Sequence, residues 1–320
     1  MSTSPDAPSP ESSVLVLGGM HRSGTSLLAS LFEGAGLSVG RRLLGGGAGN
    51  EAGHFEDLDF QEFHQRALLG NGLSADGFTA AARPCVPLPL RDDAERLVLS
   101  RREQRSAWGW KDPRTILFLD FWAELLPDAR YVFVFRPPWE VADSFFRRGD
   151  PAFVYNPLLA VPVWLHYNQR ILRFIAERPD ACIVRELAQI VADPGDVVAA
   201  VRERFGLPLG ASPDRFRPDL LGTAADGRRP RLVEAVCPEA VDVYRRLQAL
   251  AGSSVPPPAA TRLSDAELAV LEWATASRLE RENENVRRDW VSIRAAADAE
   301  VAALRAELAL AAVPPAAKAA

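Results

Sequence analysis

Residues 14–17 are an unbroken apolar run, Val-Leu-Val-Leu, that stops at Gly18-Gly19. A short apolar run bounded by glycine suits a strand buried on both faces of a parallel sheet. After the turn at 19–26, Leu27, Leu28, Leu31 and Phe32 recur at helical spacing. Residues 41–53 are rich in glycine and read as a loop, while 56–69 and 92–105 read as helices. The stretch from Trp108 to Pro113 leads into an apolar helix near 115–126. Residues 131–135, Tyr-Val-Phe-Val-Phe, give the clearest strand pattern, with β-branched and aromatic side chains side by side. Helices near 139–148 and 157–177, a third strand at 182–184 and a helix over 194–205 complete the pattern. Strands alternating with helices predict an α/β fold with a central parallel sheet and right-handed crossovers.

The pattern changes after residue 251. Residues 252–260, Gly-Ser-Ser-Val-Pro-Pro-Pro-Ala-Ala, read as a linker, because a proline triplet cannot continue a helix. Residues 263–312 contain neither Gly nor Pro and read as one long helix. In it Leu279, Val286 and Ile293 recur every seven residues, with Asn283, Trp290, Ala297 and Leu304 beside them. Glu280, Arg281, Glu282 and Glu284 surround this seam, which drifts toward Val301 and Leu308. The segment is a candidate coiled coil, imperfect in its repeat, that offers a surface for a homodimer. No internal repeat is evident.

Composition narrows the function classes. A net charge of −5 argues against a nucleic-acid partner, which calls for a basic face. No apolar run approaches the ~18 residues of a membrane span. Residues 1–12 lack a basic start and an apolar stretch, so they read as a disordered leader rather than a secretory signal. Cys85, Cys182 and Cys237 stand apart with no CxxC, and His21, His54, His64 and His166 form no ligand pair. No metal site is expected, and the cysteines fit a reducing, cytoplasmic setting. Of 37 basic residues only Lys111 and Lys318 are lysines. Arg228, Arg229 and Arg231 cluster in what reads as a solvated, glycine-containing loop.

The turn Gly-Met-His-Arg-Ser-Gly-Thr-Ser at 19–26 joins a strand to a helix with the GxxxxG spacing of a P-loop. Glycines let backbone N–H groups approach phosphate oxygens, and the helix N-terminus adds its dipole. Thr25-Ser26 replace the Lys-Ser/Thr of a nucleotide kinase, which uses that lysine at the transferred phosphate. The turn instead arrays Arg22, Ser23, Thr25 and Ser26 around an anion.

This turn resembles the 5′-phosphosulfate loop of sulfotransferases that use 3′-phosphoadenosine 5′-phosphosulfate (PAPS). Four further segments are similar to elements of that family, in its bacterial members. VFVFRPPWEVADSFFRR resembles the 3′-phosphate element, with Arg136 ending a strand and Ser144 on the helix eight residues later. NEAGHFED and WGWKDPR resemble two motifs of bacterial sulfotransferases, and the segment from Val184 to Leu209 resembles the closing strand–loop–helix. The resemblance implies a P-loop-like three-layer fold and sulfuryl transfer from PAPS to a hydroxyl or amine of a small-molecule, glycan or lipid acceptor. It implies that His21, Arg22, Ser23, Gly24, Thr25, Ser26, Arg136 and Ser144 bind the nucleotide. Lys111 takes the transition-state-stabilising position and Glu56 that of the base, with Arg22 beside them. His54 stands where an aromatic residue is usual and, with a pKa near neutrality, competes for the base role, Glu51 being a weaker third candidate. For Lys111 the alternative is a structural ion pair with Asp112. The organisation expected is leader 1–12, sulfotransferase domain 13–251, linker 252–262, helix 263–312 and disordered tail 313–320. A small-metabolite kinase and a non-catalytic scaffold gathering partners through the long helix are the competing functions. The acceptor pocket is expected from the loops at 70–89 and 156–165.

Overall fold

Alternation at single-residue spacing builds the sheet. In the computed structural model, which describes residues 13–45, 55–80, 83–102, 107–211, 228–253 and 264–311, the first apolar run is strand β1 (Ser13–Gly18). Helices α1 (Thr25–Gly34), α2 (Leu58–Gly70) and α3 (Leu88–Arg102) precede strand β2 (Ala107–Lys111). A 3-10 turn at Pro113–Phe118 and α4 (Leu119–Leu125) lead to β3 (Arg130–Phe135). Then come α5 (Pro138–Arg148), α6 (Pro151–Tyr155), α7 (Ala160–Glu177), β4 (Cys182–Glu186), α8 (Leu187–Ala192) and α9 (Pro194–Phe205). Helices α10 (Arg228–Val236) and α11 (Pro238–Ala251) end the first unit, Met1–Ala260, and α12 (Asp265–Ala311) belongs to the second, Thr261–Ala320.

The four strands are all parallel, in the order β2-β1-β3-β4. Because side chains of a strand point alternately to either face, Val14, Val16, Trp108, Trp110, Tyr131, Phe133 and Phe135 enter one core, with helices α2, α3, α5, α7 and α11. Leu15, Leu17, Val132, Val134 and Ile183 enter the other, with α1, α8 and α9. One face is aromatic and the other aliphatic, and together they make the expected three-layer α/β architecture. The chain leaves β1 toward β2 on one side and β3 toward β4 on the other. The β1/β3 boundary is therefore the switch point, where ligands of open α/β sheets bind at the strands' carboxyl ends.

Three local readings are corrected. Residues 107–111 are a strand, β2, whose five residues are all buried, not a lead-in to a helix. The expected helix at 115–126 begins as a 3-10 turn, because Arg170 draws off the carbonyls of Ile116 (3.0 Å) and Leu117 (2.6 Å). The basic cluster opens helix α10 rather than a solvated loop, and Arg229 pairs with Asp143 of α5 at 3.1 Å. Trp108, Trp110, Trp139 and Trp164 are all core side chains, as their type favours. Among the described residues no helix is long and apolar enough to cross a membrane.

Candidate active site

The turn after β1 is shaped by two close approaches. A Cβ on Gly19 would lie 2.3 Å from the Val134 carbonyl oxygen of β3, and one on Gly24 would lie 2.4 Å from Leu187 Cδ1 of α8. Gly24 also has φ +92°, in the left-handed region glycine adopts without penalty. Gly24 occupies the N-cap position of α1 and no side chain caps that end, so the first N–H groups of the helix face the turn without a side-chain acceptor. Ser23 is fully buried and its Oγ has no hydrogen-bond partner. A buried polar atom left without a partner is costly, and a ligand oxygen is a natural complement.

Arg22 sits at φ +65°, uncommon for a residue with a side chain. Its Nε donates to Ser144 Oγ on α5 at 2.9 Å. Burial lowers the Arg22 pKa, and Arg148, Arg136 and Arg147 lower it further, so four guanidinium groups share this side of the site. Arg136 follows the last residue of β3; its carbonyl accepts from Trp164 Nε1 (3.0 Å) and its Nε pairs with Glu140 at 2.6 Å. The Pro137-Pro138 step then starts α5, with proline at its first position where no N–H is needed, and places Ser144 on the second turn.

On the other side of the turn the β1–β2 register sets Lys111 opposite Leu17, at the strand end where the turn begins. Its Nζ lies 2.8 Å from Glu56 Oε1 and 3.5 Å from Ser26 Oγ. The ion pair is therefore with Glu56, not with the adjacent Asp112. Lys111 is 1% exposed, and burial lowers its pKa while Glu56 opposes that shift. Glu56 precedes Asp57, the N-cap of α2, which accepts from Asp59 N at 3.0 Å and is gripped by Arg101 at 2.6 Å. That cap anchors the carboxylate beside Lys111.

Asp112 does different work. It caps the 3-10 turn, accepting from Arg114 N (3.0 Å) and Arg114 Nη1 (2.9 Å), while Pro113 supplies the first position. Its other oxygen is 2.8 Å from His64 Nδ1, and His64 Nε2 accepts from Trp122 Nε1 at 2.9 Å. An indole can only donate, so the His64 proton is on Nδ1 and faces Asp112. Burial alone would raise the Asp112 pKa; Arg114 and His64 outweigh it and hold the carboxyl well below the usual range. Arg114 in turn reaches Glu56 Oε2 (3.7 Å), which also accepts from Gln61 Nε2 (3.1 Å). A buried chain thus runs from Trp122 through His64, Asp112, Arg114 and Glu56 to Lys111.

His21 lies against Phe78 and Tyr167, with ring centroids 5.1 and 6.2 Å away. Its Nε2 is buried without a partner, and burial together with Arg114 keeps its pKa well below normal. The expected residues thus fall into two adjoining groups, Arg22, Arg136 and Ser144 on one side and Glu56, Lys111 and Ser26 on the other. His21, Ser23, Gly24 and Thr25 lie in the turn between them. His54 and Glu51 lie outside the described residues. Sequence reasoning passed over Arg114, Gln61, His64 and Trp122. Arg114 was within reach, as the arginine directly after Lys-Asp-Pro, whereas His64 is a lone histidine on an apolar helix face. Among the described residues no cluster of His, Cys, Asp and Glu is arranged to hold a metal ion.

Known proteins similar to this chain are sulfotransferases. A provisionally named protein-tyrosine sulfotransferase of Caenorhabditis elegans is 24% identical over 119 residues, 36% of this chain. The chain spans 46% of that relative's length. The sulfotransferase domain from the curacin biosynthetic pathway is 16% identical, covering 78% of this chain and 100% of that one, with a TM-score of 0.43. A sulfotransferase from Alicyclobacillus acidocaldarius is 17% identical, covering 78% and 98%, with a TM-score of 0.44. The model of the Sulfotransferase family matches residues 15–211, from within β1 through the turn, Lys111 and Arg136 to just past α9. With that match over more than half its length, the chain belongs to the sulfotransferase family.

Proposed function

We propose that this sulfotransferase takes its sulfuryl group from PAPS and delivers it to a hydroxyl or amine of a small-molecule, glycan or lipid acceptor. The observation that carries the reading is the 2.9 Å bond from Arg22 Nε to Ser144 Oγ. It links the anion turn after β1 to the helix after β3, so one nucleotide carrying phosphates at two positions spans both. The residues fit such a ligand: an uncapped helix N-terminus at Gly24, an unpartnered Ser23 Oγ, and a group of arginines. The reading places Arg22, Ser23, Gly24, Thr25 and Ser26 at the 5′ side, with His21 beside them, and Arg136 and Ser144 at the 3′-phosphate. Glu140, now paired with Arg136, yields to the more highly charged phosphate.

PAPS supplies a sulfuryl group already attached to a good leaving phosphate. Transfer forms a bond from sulfur to the acceptor oxygen or nitrogen, breaks the sulfur–phosphate oxygen bond, and releases one acceptor proton. Glu56 takes that proton. A carboxylate has about four lone-pair positions, and Lys111, Gln61 and the more distant Arg114 leave room for an acceptor. Lys111, close to both Glu56 and Ser26, stabilises the charge moving between acceptor and phosphate, which a dry, prearranged cation does well. Asp112 and His64 position Arg114, and through it Glu56. Three well-separated cysteines, none disulfide-bonded, support a cytoplasmic setting.

Adenosine 3′,5′-bisphosphate should raise the melting temperature by mass action, and adenosine 5′-monophosphate only weakly. Arg136→Ala should erase most of that difference. Equal stabilisation by the two nucleotides would overturn the PAPS assignment. An acceptor screen with radiolabelled PAPS, with a tyrosine-containing peptide among small molecules, glycans and lipids, then identifies the acceptor class.

A further inference from the structure

Helix α12 runs for 47 residues, Asp265–Ala311. Leu279, Val286, Trp290, Ile293, Leu304 and Leu308 are all exposed on it, Trp290 at 67%. Counted with Asn283, Ala297 and Val301, their spacings are 4-3-4-3-4-4-3-4, a heptad seam with a single eleven-residue step over 290–301. Such a step unwinds a left-handed supercoil locally and leaves the seam continuous. Nearly thirty residues of seam meet the roughly 3–4 heptads a coiled coil needs. A polar helix gains little from propensity alone and takes its stability from packing such a face.

We propose that α12 pairs in parallel and in register with α12 of a second copy of this chain. The charges beside the seam select this occupant. With Asn283, Trp290 and Val301 at the a positions, the preceding g positions are Glu282, Asp289 and Glu300, all acidic. The e positions after Val286, Ile293 and Leu304 are Arg287, Arg294 and Arg305, all basic. In a parallel pair each g residue faces the e residue five positions later on the partner helix. That matches Glu282 with Arg287, Asp289 with Arg294, and Glu300 with Arg305, opposite charges every time. An antiparallel pair sets g against g and e against e, so acid meets acid and arginine meets arginine. Charges at these positions choose partner and orientation, and a lone a-position asparagine, Asn283 here, fixes register. The Arg294–Asp298 pair within the helix, at 3.9 Å and exposed, is too weak to compete.

The test uses the full chain in two charge-swapped forms. One carries Arg287→Glu, Arg294→Glu and Arg305→Glu; the other carries Glu282→Arg, Asp289→Arg and Glu300→Arg. Light scattering should find the parent protein dimeric and each form alone monomeric, self-association falling by roughly 100-fold or more as like charges face each other. Mixing the two forms should restore a dimer, which neither misfolding nor docking on the chain's own catalytic unit would produce. Oxidation of an Ala297→Cys variant in a Cys85→Ser background should join the two copies at position 297. A monomeric parent protein, an assembly of another size, swapped forms that still self-associate, no dimer on mixing, or no cross-link at 297 would each overturn the proposal.

Discussion

Lys111 is the only lysine in the catalytic unit, which otherwise uses arginine for its positive side-chain charges. At a site needing only charge, arginine would serve. A guanidinium never gives up its proton, whereas a buried ammonium has a lowered pKa and forms a compact point contact. Lys111→Arg should therefore lose most turnover although charge is kept, and Lys111→Ala and Glu56→Gln should each lower kcat by roughly 10²–10⁴. Product-nucleotide affinity should change least for Glu56→Gln, since the base role proposed for it faces the acceptor. A normal rate in Glu56→Gln beside an inactive His54→Ala would move the base role to His54. Asp112 gives a separate, non-catalytic readout. Its folded pKa lies below its unfolded value near 3.9, so at acid pH the unfolded chain binds a proton that the folded one refuses. Its contribution is complete above about pH 5 and is lost progressively as the pH falls below about 4. Asp112→Asn should cost about 3–5 kcal/mol at pH 7 by breaking a buried charged network. Denaturant midpoints measured between about pH 2 and 7 should show a flatter acid limb in the variant.

At the scale of elements, the site is three strand ends brought level by register. Gly19 is one of the close approaches that hold that alignment, since a methyl group would strike the Val134 carbonyl of β3. Gly19→Ala should cost about 1–3 kcal/mol through overpacking against backbone and should abolish nucleotide stabilisation. Gly45→Ala, with nothing within 4 Å of the added carbon, should leave both unchanged. Thermal melts with and without adenosine 3′,5′-bisphosphate compare the two. Strands β1 and β3 were legible because their apolar residues pack in runs typical of buried strands. Strand β2 was not: Trp-Gly-Trp-Lys has glycine at its centre and no β-branched residue, and it becomes a strand by pairing with β1, about ninety residues away in sequence. Lys111 was legible from its motif, but its partner was not. Glu56 is 55 residues away, and only the fold shows that it displaces Asp112 as the counter-ion. The pairing of Arg22 with Ser144, 122 residues apart, was equally invisible, although both had been singled out.

At the scale of the molecule, the catalytic unit closes beyond the residues that match the family, at α11. That helix buries Val243, Tyr244, Leu247 and Ala251, at the i, i+1, i+4, i+8 spacing of a core-facing stripe. Tyr244 Oη donates to Glu186 Oε1 at 2.6 Å, and Gln248 and Ser253 donate to Oε2 of the same buried carboxylate at the end of β4. Next to it, Gln189 Nε2 donates to the Ala251 carbonyl at 3.0 Å. These contacts set where the chain can be cut. Ending it after Pro258 keeps every donor to Glu186 and every candidate site residue, so the shortened protein should melt within a few degrees of the parent and bind adenosine 3′,5′-bisphosphate normally. It should also be monomeric, having lost α12. Ending it after Val236 removes several core side chains worth about 1.5–3 kcal/mol each and takes the Tyr244, Gln248 and Ser253 donors from the buried Glu186 carboxylate. That loss rivals the whole ~5–15 kcal/mol of a typical domain, so this form should not fold. Circular dichroism, thermal melts and light scattering on the two truncations decide it. A folded, nucleotide-binding protein ending at Val236 would show that α11 is dispensable, and loss of binding after Pro258 would show that the residues beyond it support the site.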